Sequence, residues 1–150
     1  MIYKSRKRKL EEAIKEDFTA FAGTALGSTQ ILMGRETTAQ EPTHIRIHAS
    51  SQEPTSDITE PLLNFMVSGA ITVQSAMDDG RDASDTLDGL VESYMEQDSG
   101  TIVASLNGVS VENFGCWEFQ PGTCEDDIDE DNRRYLLAYN FEAVVGHTTY

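Results

Sequence analysis

The sequence has few cysteines, no long apolar run and, beyond its first residues, little positive charge. Cys116 and Cys124 are its only cysteines. The seven residues between them fit neither a CxxC redox pair nor a zinc ligand set, so two reduced thiols of a cytoplasmic product are expected. The longest apolar run, around Ala70 to Val73, falls far short of the roughly 20 residues a membrane-spanning helix needs, and a soluble protein is expected. A basic start imitates the front of a signal peptide, but Glu11, Glu12, Lys15, Glu16 and Asp17 follow where an apolar segment would be required. Catalytic signatures are also missing. There is no GxSxG elbow, and Gly23 to Ser28 lacks the lysine of a phosphate-binding loop. Nothing argues for an enzyme, and no cofactor or metal is expected.

Two patterns imitate metal sites. His44 and His48 share one strand face but stand about 13 Å apart at roughly 3.3 Å per residue, too far to ligate one ion directly. They read as surface histidines, and His147 stands alone near the end. Asp127, Asp129 and Asp131 occupy the first, third and fifth positions of a calcium loop, yet Asn132 replaces its glycine and Ala138 its bidentate glutamate. A disordered or lumen-facing acidic loop is the better reading of Glu125, Asp126, Asp127, Asp129, Glu130 and Asp131.

What the sequence has in abundance is acid. Its net charge is −15, and five of its 11 basic residues, Lys4, Arg6, Lys7, Arg8 and Lys9, precede the first acid. The remaining 6 basic and 26 acidic residues give that part of the chain a charge of −20. Such a body repels nucleic acid, whose binding depends on lysine and arginine neutralising phosphates. Residues 1 to 9 suggest a basic arm able to dock on an acidic neighbour.

With 150 residues the chain fits a single domain, 1–150. Leu10, Ala13, Ile14, Phe18, Phe21, Ala22 and Ala25 recur at helical spacing, which predicts a helix from about Lys7 to Ala25 ended by Gly23 or Gly27. A short apolar run, Gln30 to Met33, follows. Thr43 to Ala49 alternates as a half-buried strand, while Arg35 to Pro42 and Ser50 to Pro61 read as loops. Phe65 to Ala76 is a long strand inside a sheet, with a partly apolar second face. After an acidic turn containing Gly80, with Asp82 or Ser84 as cap, Leu87, Leu90, Val91, Tyr94 and Met95 line one face of a second helix. Asn107-Gly108 has hairpin chemistry, but the flanking run Ile102 to Leu106 is too short to secure the pairing. Val109 to Phe119 reads as a strand with a bulge near Gly115, Gln120 to Asn132 as an acidic loop, and Arg133 to Val145 as the last strand. Trp117, Tyr135, Tyr139 and Phe141 read as packing residues. The result is an α+β domain: a largely antiparallel sheet with two helices on one face. The second face of Met66 to Ala76 and the odd-numbered aromatics of the last strand are expected to need cover from a neighbouring subunit.

In order, the helix Leu10 to Leu26, ILMGRETTAQEPTHIRIHA, FMVSGAITVQSAM, DTLDGLVESYMEQ, GVSVENFGCWEF and RRYLLAYNFEAVV resemble the tail terminator and tail completion proteins of long-tailed phages. This resemblance covers nearly the whole chain and transfers no individual functional residue. It implies a structural virion protein that forms a homo-oligomeric, usually hexameric, ring on the end of the tail tube, stops its growth and meets the head connector or stopper protein. It also implies assembly in the host cytoplasm and a final place at the head-tail junction, where DNA passes through the ring without specific binding. Another neck protein, or a small acidic metal-binding or inhibitor protein, is the alternative.

Overall fold

A computed structural model describes residues 4–36, 43–55, 64–79 and 81–148. Helix α1 (Arg6–Ala22) starts where the Ser5 hydroxyl accepts the Arg8 amide at 3.2 Å. It stops at Gly23, whose φ of 56° suits glycine, and a single 3₁₀ turn (Gly23–Leu26) follows. Of the apolar face predicted for α1, Leu10, Ala13, Ile14, Phe18 and Ala22 lie in the core, whereas Phe21 is exposed and Ala25 lies beyond the helix end, also exposed.

Five strands form one sheet in the order β1-β2-β3-β5-β4: β1 (Gln30–Met33), β2 (His44–Pro54), β3 (Phe65–Ala76), β4 (Phe114–Asp129) and β5 (Arg134–His147). Only β1–β2 is parallel. Strand β3 is central, and its odd-numbered residues Val67, Gly69, Ile71, Val73 and Ser75 are buried while their even-numbered neighbours are half-buried. The α+β expectation holds, with the sheet's one face packed by helices.

Among the described residues there are three α-helices, not two. Helices α2 (Arg81–Met95) and α3 (Ser99–Asn107) follow β3, and α3 takes in the short run Ile102 to Leu106 before Asn107-Gly108. Asp98 caps it by accepting the Gly100 amide at 3.1 Å, and Ile102 and Leu106, one turn apart, are fully buried. Because α2 begins at Arg81, Asp82 lies within its first turn and Ser84 is buried inside the helix; neither is the cap. Phe18 of α1 meets Tyr94 of α2 edge to face at 5.3 Å, and the Tyr94 hydroxyl donates to Asp17 at 2.7 Å.

Two predicted loops are partly strand. Strand β2 continues past Ala49 to Pro54, opposite Phe65 to Ser68, through a bulge between Ala49 and Ser51. The rest of that loop, 56–61, lies outside the described residues, as do 37–42 of the loop before it. The acidic stretch Gln120 to Asp129 is the second half of β4, paired with β5 as far as Asp129 opposite Arg134. As an edge strand it needs no apolar alternation, because almost all of it faces solvent. The early part of the predicted strand, Val109 to Asn113, precedes β4 instead of belonging to it.

Bulges set the faces of β4. A register shift between Cys116 and Glu118 buries Cys116 and Phe119 and turns Trp117 outward, half exposed against its expected packing role. Across the sheet, Phe119 stacks on Phe141 at 5.3 Å between ring centroids. Phe141 fits because Gly69 lies opposite it; a Cβ there would stand 2.8 Å from the ring. Phe141 is therefore covered by its own chain and Tyr139 is half-buried, so neither waits on a neighbour, while Tyr135 is exposed. His44 is buried as well, since β2 is an interior strand with Gln30 and Gln74 on either side.

Candidate assembly surfaces

Of the five basic residues of the N-terminus, Arg6, Lys7, Arg8 and Lys9 open α1, and Lys4 stands just before its Ser5 cap. Lys4 and Arg8 both reach Glu12, at 3.0 and 3.4 Å, in partly exposed pairs of small energetic weight. The Arg6 guanidinium lies 4.3 Å from the centre of the Phe65 ring. Lys9 donates to the Asn113 carbonyl at 3.3 Å and lies 2.8 Å from a His147 ring nitrogen; burial, with the charges of Arg6 and Lys4, holds its ammonium below the usual lysine range. Lys7 makes no ion pair among the described residues. Residues 1–3 of the predicted arm lie outside the described residues.

The six acids of the stretch from Glu125 to Asp131 are divided by the strand pleat. Glu125, Asp127 and Asp129 stand opposite Ala138, Leu136 and Arg134 on the sheet face away from the helices, whereas Asp126 and Ile128 stand opposite Leu137 and Tyr135 on the helix side. Glu130 and Asp131 form the turn. Asp129 accepts both the backbone and side-chain N–H of Asn132, at 3.2 and 2.8 Å, and these bonds hold its carboxyl below the usual range. The turn is pinned from behind: Met77 N–H donates to the Arg133 carbonyl at 2.8 Å, and the Arg133 guanidinium reaches Asp78 at 2.9 Å. Among the described residues no group of three or more His, Cys, Asp or Glu is placed to hold a metal ion, and no helix is long and apolar enough to cross a membrane.

Charge is polarised along the chain. Eight of the 11 basic residues stand at or before Arg46, and 19 of the 26 acids stand after Pro54. On the open sheet face a depression of about 570 Å³ contains Arg46, His48, Thr72 and Asn140. Burial, then Arg35, Arg46 and Lys7, push His48 below the usual imidazole range, as a locally positive field requires. A second groove, of about 410 Å³, runs between α2 and the β4–β5 hairpin, and its rim carries Asp88 and Asp126. The sequence alone pointed to neither concavity, because both form only where β4's acidic half pairs with β5.

One interior acid went unnoticed in the sequence. Glu11, on the buried side of α1, accepts the Ala49 amide at 2.8 Å where β2 bulges beyond the end of β1. Burial raises its carboxyl above the usual range, only partly offset by that bond. Gly34, at φ 57°, leaves room for it; a Cβ there would come within 3.1 Å of the carboxylate.

No family model matches this sequence, and no curated protein does. Among solved structures, a chain of the "virion of native gene transfer agent (GTA) particle" superposes with a TM-score of 0.59 at 13% identity, over 91% of this chain and 91% of that one. At that identity the likeness is one of fold. Over nearly its whole length, this chain is built like a component of a gene transfer agent virion.

Proposed function

We propose that the chain is a structural virion protein of a long-tailed phage or phage-like particle: a tail terminator subunit that forms a hexameric ring, caps the tail tube, stops its polymerisation and joins it to the head connector. The observation that carries this reading is the near-complete, two-way coverage of a chain from a gene transfer agent virion. Its activity is binding, not catalysis, and it acts at the head-tail junction after assembly in the host cytoplasm.

In this reading Glu125, Asp127 and Asp129, with Glu130 and Asp131 in the turn, face the channel. A carboxylate wall offers DNA no cations to replace its counterions, so the genome slides past without sticking. Neighbouring subunits meet through the polarised ends of the molecule, and the basic run Lys4, Arg6, Lys7, Arg8 and Lys9 takes part in partner binding. A different neck protein, a head completion or stopper subunit, has the same support, because the similar chain is identified only as part of a virion. Adding purified protein to polymerising tail tube subunits separates the two. A terminator halts growth and decorates tube ends, whereas a stopper leaves tube length unchanged and binds the portal side.

A further inference from the structure

We propose that the groove between α2 and the β4–β5 hairpin receives the basic start of α1 from a second copy of this chain, joining copies head to tail. The inference rests on the ring reading above and names its contact.

The groove is only half furnished. Val73 and Leu137 form its apolar floor, and Ile128 and Tyr135, facing each other across the hairpin, are 57% and 36% exposed. Side chains of that size standing in solvent beside a concavity favour a covering partner. The rim demands cations: Asp88 Oδ1 is buried with no hydrogen-bond partner among the described residues, and Asp126 stands nearby. Burial, then Asp85 and Asp126, raise the Asp88 carboxyl against a lowering hydrogen bond from Ser84. Arg133, at the neighbouring turn, is already committed to Asp78 at 2.9 Å.

A lysine or arginine suits both requirements, since its aliphatic stem covers apolar surface while its head reaches a carboxylate. The chain holds one dense supply of such residues, Lys4 to Lys9. Lys7 makes no ion pair among the described residues, and the exposed pairing of Arg8 with Glu12 costs little to exchange. The start of α1 cannot reach the groove of its own chain. Arg6 against Phe65 and Lys9 against Asn113 fix the start of α1 at the sheet end where β3 begins, whereas the groove lies beside Val73 and the β4–β5 turn. Along β3, the step from Phe65 to Val73 separates the two by about 26 Å at roughly 3.3 Å per residue. A second copy supplies what the first cannot reach. Because donor and receiver are different surfaces, each added copy leaves one of each free until a ring closes.

A charge swap tests the contact in the full-length chain. Lys7→Glu with Arg8→Glu reverses the donor, and Asp126→Lys with Ile128→Lys reverses the receiver; circular dichroism confirms that each variant folds. In sedimentation velocity at low salt, each variant alone should associate at least about tenfold more weakly than wild type. An equimolar mixture should recover assembly, because each variant's start then fits the other's groove. Single variants that assemble like wild type, or a mixture of folded variants that stays dissociated while wild type assembles, overturn the groove contact and leave the ring reading standing. A wild-type protein that is monomeric at every concentration overturns the ring reading and this contact together.

Discussion

Replacing Glu11 isolates one buried hydrogen bond and the charge that accepts it. Strand β1 ends opposite Ile47, so the Ala49 amide, two residues farther along β2, has no strand carbonyl to meet on that side; Glu11 takes its place at 2.8 Å. Glu11→Ala strands that amide in a buried setting, which costs about 1–3 kcal/mol. At this chain length each kcal/mol lowers Tm by roughly 2–4 °C. Glu11→Gln keeps an acceptor oxygen without the charge, so it should remain clearly more stable than Glu11→Ala. The two also differ with pH. Burial raises the Glu11 carboxyl, so the folded protein binds its proton more tightly than the unfolded chain does, and this group's contribution to stability falls as pH rises from the ordinary carboxyl value through the raised one. Glu11→Gln escapes that loss. Its stability relative to wild type should be greatest above the window and shrink below it. Urea titrations across that range decide the matter: Glu11→Ala as stable as Glu11→Gln, or a difference between Glu11→Gln and wild type that ignores pH, would refute the reasoning.

Two further outcomes can be checked on the isolated protein. Asn107 closes α3 against β4 with a pair of 2.8 Å bonds, its side-chain N–H to the Cys116 carbonyl and its side-chain oxygen from the Cys116 amide; Asn107→Ala should cost about 1–3 kcal/mol in urea unfolding, and a silent variant would show that neither bond matters. Cys116 is buried and its thiol is pushed up to about 12, while Cys124 is exposed, so a thiol reagent should titrate one cysteine in the native state and two in denaturant.

How far the fold could be read from the sequence depended on how one-sided each element is. Strands β3 and β5 and helices α1 and α2 bury one face more deeply than the other, and their periods of two and 3.6 give them away. Helix α3 buries little more than Ile102 and Leu106, and Asn107-Gly108 after it imitates a hairpin turn. The acidic half of β4 is exposed on both faces at a sheet edge, so it carries no alternation, and Pro121 and Gly122 at its bulge look like turn residues. One clue was available: β5, with 14 residues and an apolar face throughout, needs a partner of similar length on each side. The basic run and the acids were visible as charge, but their placement at opposite ends of the sheet was not. Glu11 was hidden because its acceptor role exists only beside the bulge in β2.

The central claim is that copies of this chain close into an acidic-walled ring on the end of a tail tube. Electron microscopy of the purified protein mixed with tail tubes tests it directly. The account predicts closed rings on one end of each tube, with Glu125, Asp127 and Asp129 around the channel. A protein that stays monomeric with tubes present, or a ring whose channel is lined with basic residues, would contradict it.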